Sequence, residues 1–283
     1  MRNIAFTAIT LSCLGAQVAT AAELKLELRP VTPWTVDWAD NSCSLARGFG
    51  NSESPFIMRF EKFAPGDSYQ LVLIGKELRG SVHGTGLELA YGDRQPESID
   101  DYARHGEYGK GIPALFVTSS LAGREAGGDE APKVTAETER KIGKITVFWG
   151  VRKLTLNTGP LDQPFAALRK CTDDMVQKWG LDPAEQAALS RKAKPSTATV
   201  SYLQNRYPQD LAFMGKQGLI NMRVLVDAEG RPNDCAIQRS YSSPKFEQIA
   251  CKVFIEHAAF TPALDAQGRP VASYFVTTIH WVL

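Results

Sequence analysis

The sequence predicts an α+β protein in two parts: a mainly antiparallel β domain, built as a sandwich or open barrel and closed by a helix, and then a small ββαβ unit. Three observations predict it. Short runs of β-branched and aromatic residues recur between turn signals from Leu24 to Leu156. A helical apolar period replaces them after Pro164. Residues 202–283 then carry two alternating strands, an amphipathic helix and a long third strand.

Met1-Arg2-Asn3 precedes an apolar stretch from Ile4 to about Val18 and the small residues Ala19 to Ala22. This reads as a secretory signal peptide over 1–22. About fifteen apolar residues, broken by Thr7, Thr10, Ser12 and Gln17, are short for a hydrocarbon core of about 30 Å. An uncleaved anchor, or a lipoprotein signal at Cys13, are the alternatives. Cleavage leaves 31 basic and 31 acidic residues with no dense basic block. Nucleic-acid binding and attraction to anionic lipid therefore lack an electrostatic basis.

Residues 23–191 are predicted as the β domain. Leu24–Leu28 alternates, and Phe56–Phe63, Tyr69–Ile74, Gly86–Tyr91, Ala114–Thr118, Lys144–Trp149 and Arg152–Leu156 follow as strands. The polar interruptions Gly92–Gly111 and Gly123–Gly143 read as mobile loops. From Pro164 to Trp179, Phe165, Leu168, Thr172, Met175 and Trp179 keep helical spacing, with Gly180 as the stop. Asp182-Pro183 opens a short helix, and Lys192–Ser201 reads as a linker.

In the last unit, Ile220, Met222, Val224 and Val226 alternate with Asn221, Arg223 and Asp227, the pattern of a half-buried strand. Asp227–Gly230 is a tight turn with Gly230 at the residue that needs positive φ, and Cys235 and Ile237 lie on the returning strand. Ser243 and Pro244 open a helix whose buried face is Phe246, Ile249, Ala250 and Val253. Asp265–Pro270 is a turn, and Val271–Val282 is the third strand.

The ordered set Tyr207-Pro208, the alternating strand with Asp-x-x-Gly-Arg, Ser-Ser-Pro-x-Phe-Glu, Phe260-Thr261-Pro262-Ala263 and Gly268-Arg269-Pro270-Val271 resembles the C-terminal domain of the TonB family. The resemblance covers a little over a quarter of the chain. It departs from the family at Glu256–Ala259, where basic residues or Trp are frequent. It implies a periplasmic domain of a Gram-negative bacterium that adds an extended peptide of an outer-membrane receptor, or of another envelope protein, to its sheet. Homodimers through strand exchange are also implied.

Four cysteines outside the signal segment, Cys43, Cys171, Cys235 and Cys251, suggest two disulfides in an exported chain, with three pairings possible on paper. Cys235 on a strand and Cys251 on the covering helix form a natural pair, as in some TonB-like proteins, which leaves Cys43 with Cys171. No CxxC or His-x-His spacing indicates a metal, and no GxSxG, HExxH or P-loop indicates catalysis. No cofactor and no catalytic residue are expected. Gly84-Thr85-Gly86 is a turn, the four histidines lack regular spacing, and Asp100-Asp101 and Asp173-Asp174 read as solvated pairs.

The expected function is peptide binding by strand addition on Val271–Val282, associated with TonB-dependent transport. The expected contacts are Tyr274, Val276, Thr277, Thr278 and Trp281, with Tyr207 and Pro208 at the chain entry. A membrane-anchored energy transducer is one alternative, although ten linker residues reach only about 30 Å. A periplasmic enzyme in the first domain is the other.

Overall fold

The computed structural model describes residues 24–79, 86–109, 111–123 and 133–282. The predicted signal peptide, His83 and the Gly84-Thr85 part of the turn lie outside them.

The N-terminal part holds two sheets. β1 (Leu24–Leu28), β6 (Leu87–Tyr91), β7 (Glu97–Ser98), β10 (Ile145–Trp149) and β11 (Arg152–Leu156) form one, in the order β1-β11-β10-β6-β7. The other contains β2 (Thr35–Trp38), β3 (Cys43–Phe49), β4 (Phe56–Lys62), β5 (Ser68–Ile74), β8 (Ala103–Tyr108) and β9 (Ile112–Ser120), in the order β2-β3-β4-β5-β9-β8. Pairing is antiparallel except that β1 lies parallel to β11. One core joins both sheets to the helix α2 (Asp162–Lys178), which follows the short helix α1 (Ala136–Lys141). Its predicted apolar face, Phe165, Leu168, Thr172 and Met175, is buried, and Trp179 caps the same side. A buried hydroxyl chain, Tyr69 to Tyr91 at 2.6 Å and Tyr91 to Ser119 at 2.7 Å, bridges the two sheets. The Cys43–Cys171 disulfide fastens α2 to β3.

Two expectations need correction here. Gly92–Gly111 and Gly123–Gly143 are not loops throughout, because the first contains β7 and β8 and the second contains α1. β8 is the end strand of its sheet and its C-terminal half is exposed, so Arg104, His105 and Glu107 gave no apolar alternation. β2 and β3 also go unpredicted, although Cys43, Leu45 and Phe49 keep period two. Arg47 interrupts that series, and its guanidinium is held by the carbonyls of Thr32 and Thr158 and stacks over Trp34.

After α3 (Pro183–Ala187), the chain does not become a spacer. β12 (Lys194–Pro195) pairs with β15 (Phe260–Thr261), and α4 (Thr197–Gln204) starts at once behind the N-cap Ser196. Ala193 and Pro195 are buried, and that apolar anchoring is why a Pro- and Ser-containing stretch folds down. The short helix α5 (Gln209–Phe213) leads into β13 (Gly218–Val226) and β14 (Pro232–Ser240). α6 (Pro244–His257) follows, then β16 (Ala263–Leu264), β17 (Pro270–Val271) and β18 (Ser273–Trp281). Ser243 holds the N-cap position of α6 without a side-chain cap bond. The Cys235–Cys251 disulfide ties β14 to α6.

The sheet order β14-β13-β18 matches the ββαβ expectation, with Ile220, Met222, Val224 and Val226 buried under α6. The other face is not solvated. Leu219, Asn221 and Arg223 are also buried. Asn221 Nδ2 donates to Gln70 Oε1 at 3.3 Å, Arg223 stacks over Trp179, and Gln238 donates to the carbonyls of Asn41 (2.9 Å) and Phe63 (2.7 Å). A polar stripe that reads as a water-facing surface is a seam between the two parts, in which Asn221, Arg223 and Gln238 each meet a partner remote in sequence.

Candidate peptide-docking groove

β18 is an end strand, paired with β13 on one side and, among the described residues, with no strand on the other. One hydrogen bond fixes which of its peptide groups face the open side. The Tyr241 N–H donates to the Leu219 carbonyl at 3.0 Å, so the peptide groups of Leu219 point toward β14. Peptide groups alternate sides along a strand, so those of Ile220 point toward β18 and those of its register partner Ile279 point back. The register runs unbroken from Gly218↔Trp281 to Val226↔Ser273, so Phe275 and Thr277 are also turned inward. Tyr274, Val276 and Thr278 therefore present N–H and C=O groups to the open side. The described residues supply these groups with no partner.

A groove of about 610 Å³ runs along this rim. Tyr274 to Thr278, five residues in sequence, all line it. Side chains alternate between the faces of a sheet, so a cavity that touches five in a row abuts the strand edge rather than either face. The turn from Phe63 to Ser68, joining β4 and β5, forms the opposite wall, and Lys192 to Lys194 close a third side. The volume lies in the range of ordinary ligand sites.

Lys192 and Lys194 are exposed at the mouth and have no carboxylate partner among the described residues. Asp67, across the groove, accepts the Val134 N–H at 3.2 Å. Burial, with a smaller contribution from Asp173, pushes the Tyr274 hydroxyl up to about 12, so it stays protonated. Its ring packs edge-on against Trp179 at 5.1 Å, which fixes the N-terminal end of the rim. Thr278 Oγ1 donates to Asn221 Oδ1 at 2.6 Å, which fixes the other end. These groups offer hydrogen bonds and shape. Among the described residues no cluster of three or more His, Cys, Asp or Glu could hold a metal ion.

Of the residues the sequence nominates, Tyr274, Val276, Thr277 and Thr278 are gathered on this groove. Tyr207 and Trp281 lie elsewhere, both packed on Phe246 at ring distances of 5.5 and 4.9 Å. The cause is local. Gly218 pairs with Trp281, and a Cβ on Gly218 would stand 3.0 Å from the Phe246 ring, so Phe246 fills the vacant place and covers the indole. The Tyr207 hydroxyl donates to the Lys216 carbonyl, and Pro208 is buried at the start of α5. Sequence reasoning missed Lys192, Lys194 and the whole Phe63–Ser68 wall. The spacing of Lys192 and Lys194 around a small apolar residue was the available signal.

Residues 204–283 match the family model described as Gram-negative bacterial TonB protein C-terminal. A comparison with curated proteins finds no match to the chain. The matched segment is TonB-like, and that family is associated with transport at the Gram-negative envelope.

Proposed function

We propose that this protein is a periplasmic capture module associated with TonB-dependent transport, which adds an extended segment of an outer-membrane receptor or other envelope protein to β18 as a fourth strand. One observation carries the reading: the groove follows an unpaired strand rim, whose outward N–H and C=O groups at Tyr274, Val276 and Thr278 await partners. Export by a cleaved signal at 1–22 fits the two disulfides, which persist in oxidising compartments. The chain divides functionally into 23–191 and 202–283, with 192–201 as a folded strap between them. A second copy exchanging strands would compete for the same rim.

Capture is favoured over force transduction. The strap is pinned to β15 in the C-terminal part and the seam fixes the β14-β13-β18 sheet to the first domain, so neither supplies an extended spacer. The test is binding of receptor-derived extended peptides to the intact protein and to Val276→Pro, which removes one outward donor. Undiminished binding by the variant rejects the rim as the dock.

A further inference from the structure

We infer that the groove selects an extended segment with acidic side chains at alternate positions, an inference that rests on β18 being the docking edge. Ala193 is turned into the core of the C-terminal part. Arg191 bridges to Leu264 and Lys194 pairs with Thr261, so the stretch between them is extended. In an extended chain, residues on either side of an inward one point the opposite way, so Lys192 and Lys194 are turned out of that core and exposed, on a stretch that borders the groove from Lys192 to Lys194. Their spacing is about 6.6 Å along the chain, the same repeat that separates same-face side chains of any added strand. Two carboxylates at i and i+2 of the captured segment thus meet two ammonium groups one to one. The intervening side chains face the Phe63–Ser68 wall, apolar at Phe63, Ala64 and Pro65 and carrying Asp67 further along the turn. The occupant is a peptide that alternates acidic with small or apolar residues. The N-terminal domain, by supplying that wall, takes part in reading it.

Two fluorescein-labelled heptapeptides test this with the intact protein, one alternating glutamate with valine and threonine, the other with glutamine in place of each glutamate. At roughly 50 mM salt the glutamate peptide is expected to bind about three- to tenfold more tightly, and the preference should shrink at roughly 0.5 M. The double substitution Lys192→Glu and Lys194→Glu should abolish or reverse the preference between the two peptides. Val276→Pro should weaken both peptides alike. Equal affinity of the unsubstituted protein for the two peptides, no binding of the glutamate peptide at about 1 mM, or an unaltered preference in the double variant overturns the acidic selection. Edge docking survives those results if Val276→Pro still weakens the glutamine peptide. Full-strength binding of both peptides by Val276→Pro overturns edge docking, and the inference with it.

Discussion

The hydroxyl of Tyr241, which follows β14, donates at 3.0 Å to Oε2 of Glu61 on β4, a carboxylate with no solvent exposure. Arg59 at 3.0 Å and Arg239 at 3.5 Å neutralise the same carboxylate, one from each side of the seam. Tyr241→Phe keeps the ring contact with Phe116 and removes this donor, along with the hydroxyl oxygen that accepts from Arg59 Nη2 at 3.4 Å. A buried acceptor left short of a partner costs about 1–3 kcal/mol. Urea unfolding should record a loss in that range with an unchanged slope.

Val276→Pro and Thr277→Pro are neighbouring changes with opposite expected outcomes. The Val276 N–H faces the groove, and proline is tolerated on an edge strand where the missing N–H faces outward. That variant should unfold within about 1 kcal/mol of the parent while losing peptide binding. The Thr277 N–H belongs to the ladder with Met222. Its loss should cost about 1–3 kcal/mol of stability, read in the same unfolding experiment.

The hairpin turns Asp227–Arg231 and Asp265–Arg269 are copies. In each, the aspartate carboxylate accepts two backbone N–H groups and the arginine side chain, and the glycine has positive φ, +80° at Gly230 and +77° at Gly268. Their surroundings differ. A Cβ on Gly230 would collide with the Phe260 carbonyl oxygen, whereas one on Gly268 meets nothing within 4 Å. Gly268→Ala should cost about 1–2 kcal/mol from backbone strain, and Gly230→Ala clearly more, by thermal or urea unfolding.

The same backbone donors, assisted by Arg231 and Arg269, hold the Asp227 and Asp265 carboxyls below the usual carboxylate range. A pKa lower in the folded than in the unfolded chain means stability that is full above the unfolded value. It is lost as pH falls through the folded one. Asp227→Asn with Asp265→Asn should lower stability at pH 7 and flatten its decline below about pH 4. An acid limb identical to the parent's would contradict this.

Replacing Cys235 and Cys251 together by alanine opens a 16-residue separation and should cost about 3 kcal/mol. The Cys43–Cys171 pair, separated by 128, should cost up to about 5 kcal/mol. Unfolding with and without reductant measures both. Peptide mapping of the unreduced protein should recover these two linkages.

Much of the architecture is legible in the sequence because local periodicity encodes it. α2, α6 and the inner face of β13 follow from the spacing of Phe165, Leu168 and Met175, of Phe246, Ala250 and Val253, and of Met222 and Val224. The seam is not legible. Asn221, Arg223 and Gln238 look solvated until their partners Gln70, Trp179 and Phe63 are brought up from another part of the chain. The proposed docking strand could be nominated, but not which of its N–H groups point outward. That parity depends on a bond between Tyr241 and Leu219, outside the strand itself. The groove's basic side was hidden by composition, since Lys192–Ser201 reads as spacer while Ala193 and Pro195 anchor it.

The buried polar seam also bears on how the tail should be handled. Cut free as 202–283, it would expose Leu219, Leu225, Tyr274 and Val276 together with Asn221 and Arg223, parted from Gln70 and Trp179. Such a fragment would gain an adhesive second face that the whole molecule lacks. It would also forfeit one bank of the channel, so its catch in a pull-down would describe the wound rather than the native rim.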